Sequence, residues 1–406
     1  MNKKSSYYSK LFTFINDAIL KNKSLRKIKK IYYYIDGIIM LFTGRPKKQI
    51  TGKKKVILLF NLALGDGVMF MTVLKNIKNI YPKDKYEITL ACQNGLNKLY
   101  EKMDIFDKVL PLKFTDSTVN LKNRIKTIKE LRKEYYDIAL DPVGIEEYSM
   151  NVLMTRVIHA NEKIGIKNNA KKMYCSKRIC KKVYSKIIEI DNPSIHYIEL
   201  YNEFFNKLGN KEFEVEFLEL PSESVKEKLP EKYCIIYPSA STEFKRWPVE
   251  RFADIAKKIF ENTKLPIVLC GTEIDRTVNN KLKELIKDIE VIDMIGKTSI
   301  LEYISLIKNA KYVVTNDTGI YHIATISQRP VAVIGGGYSY DKYLVYRFNG
   351  AEKYKKPYVI CKKMDCFNCE NRCIYCNEID KTWPCLEKIS VSEAWKIINK
   401  MIEENK

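Results

Sequence analysis

Two stretches of this 406-residue chain alternate apolar, strand-like runs with amphipathic, helix-like segments, and that alternation constrains the fold more than any other feature. The first series opens at "VILLFNLALGDGVMFMTVLKNIKNIYP", which is a continuous apolar run, a Gly-Asp-Gly turn and then apolar residues at helical intervals. Further strands are predicted at 86–92, 108–112 and 137–144, with the basic helix "LKNRIKTIKELRKEY" between the last two. The second series starts at "YCIIYPSASTEFKRWPVERFADIAKKIF", continues through "LPIVLCGTEIDRTVNNKLKELI" and reaches "VVTNDTGIYHIATISQRPVAVIGG". Alternating strands and helices imply parallel sheets. The expected α/β architecture is therefore two Rossmann-like, doubly wound domains facing a cleft, with ligands held at the carboxyl ends of the strands. Between the two series, residues 160–230 read as basic and irregular, with one helix at "HYIELYNEFFNKLG".

The formal net charge of +22 calls for an anionic partner: nucleic acid, a phospholipid surface or a phosphorylated substrate. Residues 1–55 hold 15 Lys and Arg against two acids, Asp17 and Asp36, so over half of the excess lies in that arm. No nucleic-acid-reading motif accompanies it, and a nucleic-acid binder is disfavoured. The arm reads as one or two amphipathic helices that break at Gly44 and Pro46. Its apolar stretch from Ile31 to Phe42 is interrupted by Asp36 and falls short of the ~20 apolar residues a spanning helix needs. The basic run Lys21 to Lys30 also excludes a secretory signal, so a cytoplasmic protein is expected. Two readings of the arm stand: peripheral attachment to an anionic membrane surface, or a helical extension packed on the body.

Three short stretches carry candidate chemistry. In "LGDG" (64–67) Asp66 sits at a helix start, where the dipole favours its anion and a general-base role becomes available; the plain alternative is a tight turn. In "STEFKRWPVERF" Lys245 is either a solvated charge or a cation placed against a diphosphate, and in "LCGTEIDR" Glu273 is either a helix-start carboxylate or an acceptor for ribose hydroxyls. In "TNDTGIYH" an apolar run, a small polar turn and a helix make an anion site from unpaired first-turn N–H groups. There Thr318 and Gly319 offer N–H groups, Asp317 accepts from hydroxyls, and His322 stands one turn into the helix.

Taken in order and spacing, "NLALGDGVMFMTVLKNIKNIYP", "YPSASTEFKRWPVERFADIAKKI", "VLCGTEIDR" and "DMIGKTSILEYISLIKNAKYVVTNDTGIYHIATISQRPVAVIGG" resemble glycosyltransferase family nine, the ADP-heptose:lipopolysaccharide heptosyltransferases. The resemblance covers about residues 55–400 and is most specific from Gly296 to His322. It implies a GT-B fold and an inverting, metal-independent transfer of heptose or a related sugar from a nucleotide-sugar, ADP-heptose by preference, to a lipopolysaccharide-type or other cell-surface glycan. The alternative keeps fold and mechanism but moves another sugar in capsule or glycoprotein synthesis. Carried over by residue, Asp66 matches the family's catalytic base, Lys245 and Glu273 its donor-binding pair, and Asp317, Thr318, Gly319 and His322 its sugar and diphosphate loop. The domains implied are a basic arm (1–55), an acceptor domain (56–228), a sugar-nucleotide domain (229–360) and a Cys-rich segment with a C-terminal helix (361–406).

Six of the 11 cysteines fall in "CKKMDCFNCENRCIYCNEIDKTWPC". Cys366, Cys369, Cys373 and Cys376 form two C-x-x-C pairs and are candidates for a structural zinc, although their three-residue separation is short for a zinc knuckle. Free or partly paired thiols in a reducing cytoplasm are the other reading. "CENRCIYC" has the spacing of a radical-SAM cluster, but no barrel accompanies it. The segment reads as structural, not catalytic.

Overall fold

The computed structural model describes residues 23–47, 52–117, 120–143, 149–168, 181–192, 195–371, 373–376, 378 and 380–406. Residues 1–22 and 48–51 of the basic arm thus lie outside the described residues. The chain divides into two compact units: 1–63, 73–193 and 200–213 form the first, and 64–72, 194–199 and 214–406 the second.

In the first unit a six-stranded sheet has the order β3-β2-β1-β4-β5-β6, with β1 Lys54–Phe60, β2 Tyr86–Gln93, β3 Lys108–Leu112, β4 Tyr135–Asp141, β5 His159–Asn168 and β6 Lys186–Ile190. Every pairing is parallel. The continuous apolar run of β1 has its cause here, because Val56 to Phe60 are all buried in a central strand covered on both faces. The stretch 160–230 departs from expectation. It contributes β5 and β6, whose sequences "HANEKIGIKN" and "KIIEI" intersperse charges with apolar residues because they lie toward the sheet edge.

Helix α1 (Lys23–Phe42) packs on this unit through Asp36, which is wholly buried and paired bidentately with Arg124 at 2.6 and 2.7 Å. The acid that interrupts the apolar stretch is therefore an internal fastening. No helix among the described residues is long and apolar enough to cross a membrane. Helix α2 spans Leu64–Leu74. Helix α3 (Leu121–Leu131) starts at Asn120, whose side chain accepts from the Asn123 N–H, and α4 (Met150–Val157) starts at Ser149 in the same way. Helix α5 (Tyr197–Gly209) occupies the place predicted for it.

The second unit repeats the topology. Its sheet runs β12-β11-β10-β7-β8-β9, with β7 Cys234–Tyr237, β8 Ile267–Leu269, β9 Val291–Asp293, β10 Tyr312–Asn316, β11 Val331–Ile334 and β12 Tyr358–Ile360. Counted from its own first strand, this is the order of the first sheet, the 3-2-1-4-5-6 arrangement of doubly wound nucleotide-binding folds. Helices α6 (Val249–Thr263), α7 (Arg276–Leu285), α8 (Ile300–Asn309), α9 (Gly319–Ile326) and α10 (Val391–Glu404) accompany it. The C-terminal helix belongs to the core, where Ala394, Ile398, Met401 and Ile402 pack with Ile255, Ile259 and Trp247. Capping boxes at Ser299/Glu302 and Ser390/Glu393 fix the starts of α8 and α10.

Candidate active site

Four of the expected residues converge inside the second unit. Asp66 lies in the first turn of α2, Lys245 ends a short 3₁₀ turn after β7, and Asp317 and His322 flank the start of α9 after β10. Strands β7 and β10 are neighbours at the point where the strand order reverses. Open α/β sheets bind ligands at that point.

Asn316, buried at the end of β10, holds the frame. Its side chain accepts from the Trp247 N–H at 3.1 Å and donates to the Pro238 carbonyl at 2.8 Å, tying the Lys245 turn to the Asp317 loop. Lys245 Nζ then stands 3.9 Å from Asp317 Oδ2 and 5.7 Å above the Tyr338 ring. Ser339 Oγ donates to the same Asp317 oxygen at 3.1 Å. Helix α9 begins at Thr318 without a side-chain cap; the Tyr321 N–H donates to the Thr318 carbonyl at 3.1 Å, and the N–H groups before it are the ones an outside acceptor would meet.

Two glycines let the α2 and α9 starts approach. A Cβ on Gly65 would lie 2.8 Å from His322 Cδ2 and 3.3 Å from Gly319 Cα, and one on Gly319 would meet the Gly65 nitrogen at 3.4 Å. Asp66 is thereby brought into the field of Lys245 and Asp317. Burial raises its carboxyl to about 6; the Lys245 charge and a 3.3 Å hydrogen bond from the Tyr343 hydroxyl oppose that rise, and Asp317 adds to it. Such a carboxyl is mostly ionised at neutral pH and basic enough to take a proton.

His322 is buried, and its Nδ1 pairs with the Tyr346 hydroxyl at 2.7 Å. Burial, with the nearby Lys245 charge, pushes the imidazole down to about 3, so it works as a neutral ring. His196 packs beside this pair, its ring 4.8 Å from that of Tyr346, and burial lowers it to about 3 as well. Sequence reasoning passed over Tyr338, Ser339, Tyr343 and Tyr346. The tyrosine-rich run "GYSYDKYLVYRF" directly after "VIGG" was the available signal.

Glu273 is placed differently from the other candidates. It is exposed, forms a two-point pair with Arg276 at 2.6 Å, and leans over Gly296, where a Cβ would nearly touch its carboxylate. The Gly296 backbone is left-handed, with φ +72°, so the turn in "IGKTS" needs a glycine twice over.

Three of the four cysteines predicted as a zinc set border one small cavity. Cys366, Cys369, Cys373 and Cys385 line it with Tyr338 and Trp383, whereas Cys376 points its Sγ toward the Glu378 carbonyl at 3.8 Å. Among the described residues no group of three or more His, Cys, Asp or Glu is arranged to hold a metal ion. Asn368, inside the first C-x-x-C pair, and Glu370 and Asn371, between the two pairs, all have left-handed backbone and turn the chain there.

Two doubly wound units of one strand order define a GT-B-type fold, and an E. coli ADP-heptose LPS heptosyltransferase II shares it, with TM-score 0.58 at 17% identity over 86% of this chain and 98% of that one. The family model of glycosyltransferase family 9 (heptosyltransferase) matches residues 124–338, just over half of the chain, and the chain belongs to that family of glycosyltransferases. Lipopolysaccharide heptosyltransferase 1 of Campylobacter coli is 25% identical over 68% of this chain and 81% of its own length. Lipopolysaccharide heptosyltransferase 2 of Salmonella typhimurium is 30% identical, but over only 24% of this chain and 28% of that protein.

Proposed function

We propose that this protein transfers heptose from ADP-heptose to a hydroxyl of a lipopolysaccharide-type acceptor, with inversion and without a metal. The observation that carries the reading is the convergence of Asp66, Lys245 and the uncapped α9 start around one point. The Asp66 carboxylate takes the proton of the acceptor hydroxyl as that oxygen attacks the anomeric carbon from the face opposite the diphosphate. The bond from the anomeric carbon to the phosphate oxygen breaks, and its electrons leave with the nucleoside diphosphate. Lys245 and the Thr318–Gly319 N–H groups oppose the charge that develops there. Asp317 receives hydrogen bonds from sugar hydroxyls. Neutral His322, fixed by Tyr346, shapes the wall of the site, and Glu273 lies on the nucleotide side. The cysteine segment packs against Phe244 and Tyr338 and supports the Lys245 turn without taking part in chemistry.

The test is a panel of nucleotide-sugars in thermal unfolding, followed by turnover in EDTA. ADP-heptose at 100 times its dissociation constant should add ~2.7 kcal/mol of stability, and the chain should consume it at full rate in chelator. A larger shift with another sugar nucleotide moves the reading to a different donor on the same fold. Loss of turnover in EDTA removes the metal-free mechanism.

A further inference from the structure

Helix α1 has two faces, and the body of the first unit uses one. On that side Asp36 is locked to Arg124, the Arg156 guanidinium lies 3.6 Å over the Tyr33 ring, and Ile39 and Met40 pack on the core. The other side presents Ile31, Tyr34, Ile38, Leu41 and Phe42, at intervals of three, four, three and one, which is a single helical stripe. Leu41 and Phe42 are 82% and 84% exposed.

The stripe continues onto α3. Ile35, Ile38, Ile39, Phe42 and Thr43 line one wall of a groove of about 380 Å³, with Leu121, Ile125 and Lys129 on the other. Six of the nine large apolar residues that are exposed among the described residues lie in this patch, including Leu121, so it is a concentrated surface and not scattered exposure. Its border is basic. Lys122, Lys126 and Lys129 are exposed on α3, and "KSLRKIKK", the first eight residues of α1, contains five Lys and Arg and no acid. Glu130 of α3 is already paired with Lys133 at 2.7 Å.

We propose that the α1–α3 face docks on an anionic phospholipid bilayer. Leu41 and Phe42 enter the boundary between headgroups and acyl chains, the groove takes an acyl segment, and the lysines of α3 meet the lipid phosphates. Charge selects this occupant, because an apolar stripe with a net basic rim matches a negative surface better than a neutral protein. The buried Asp36–Arg124 pair keeps the helix on the body while its outer face works, so attachment needs no spanning segment.

The full-length chain is sedimented with vesicles of phosphatidylcholine and phosphatidylglycerol in equal parts, and with phosphatidylcholine alone, beside a Leu41→Asp/Phe42→Asp double variant. The parent should sediment with the anionic vesicles at low salt, and roughly tenfold or more weakly with neutral vesicles or in high salt. The double variant should lose at least about tenfold in anionic-vesicle binding with its thermal midpoint unchanged, since both side chains face out. No sedimentation of the parent overturns the proposal, as does equal binding by the variant. Vesicle binding that emerges only after residues 1–22 are removed also overturns it, because that segment then covers the face. A concentration-dependent dimer that the double variant dissolves, without vesicle binding by the parent, makes the face a self-interface instead. None of these readouts involves turnover, and the outcome stands apart from the proposed transfer.

Discussion

Asp66 and Asp141 are carboxyls raised by burial to the same value, about 6, in different units of the chain. Their partners separate them. Asp141, at the end of β4, is wholly buried and accepts from the Tyr184 hydroxyl at 2.6 Å, the Asn151 amide at 2.7 Å and the Val143 N–H at 3.2 Å. Asp66 accepts one long side-chain bond, from Tyr343 at 3.3 Å, and a weak bond from its own backbone N–H, beside the charges of Lys245 and Asp317. A carboxylate with three donors at hydrogen-bonding distance has spent its acceptor capacity on structure. One whose only side-chain donor is a single long bond keeps lone pairs for a substrate proton. A perturbed pKa therefore marks a site for chemistry only where the hydrogen-bond inventory is incomplete.

The largest effect that would sharpen this contrast is in turnover. Asp66→Asn should lower kcat by ~10²–10⁴-fold while donor binding, read by thermal shift, stays near that of the parent. A variant within threefold of the parent would strike Asp66 from the mechanism. Lys245→Ala comes next: removal of one charge-stabilising group costs ~10²–10³-fold, here in donor binding and rate together, and added magnesium should not restore it. Asp141→Ala should show the opposite pattern. It leaves the Tyr184 and Asn151 donors without their acceptor and should cost about 1–3 kcal/mol by denaturant titration, with kcat at low temperature within threefold. If Asp141→Ala silenced turnover in a folded protein, the two carboxyls would share a role and the comparison would fail.

Much of this was legible beforehand, for reasons that differ by region. The turns at Asp66 and Asp317 could be read because each joins a fully apolar central strand to a helix, and central strands buried on both faces leave an unbroken pattern. β5 and β6 were missed because strands near a sheet edge keep charges that blur the alternation. Two doubly wound units were legible from the alternation of strands and helices, but not their 3-2-1-4-5-6 strand order, which is set by which runs pair and not by their composition. Tyr343 and Tyr346 were missed because they reach Asp66 and His322 from a π-helical turn and the loop after it, with no periodicity to announce them. Cys385, rather than Cys376, borders the cysteine cavity for a similar reason: the fold, not the spacing, carries it there.

The smallest effect is the finest test of the Asp66 half of the comparison. As the proposed base, Asp66 acts in its ionised form, so kcat/KM should fall as pH drops through about 6. The Tyr343 hydroxyl favours the charged form, and Tyr343→Phe should move that limb to higher pH, with a few-fold loss below pH 6 and little change at pH 8. Stability supplies the matching sign. The folded value of Asp66 lies above its ordinary carboxylate value of 3.8, so its share of stability is fully present below about pH 4 and is lost as pH rises through about 6. The charged group therefore weighs against folding at neutral pH. Asp66→Asn, which is never charged, should melt at or above the parent at pH 7.5, and that advantage should shrink toward pH 5. A variant that melted well below the parent at pH 7.5 would mean that Asp66, like Asp141, is a hydrogen-bonded fixture of the fold.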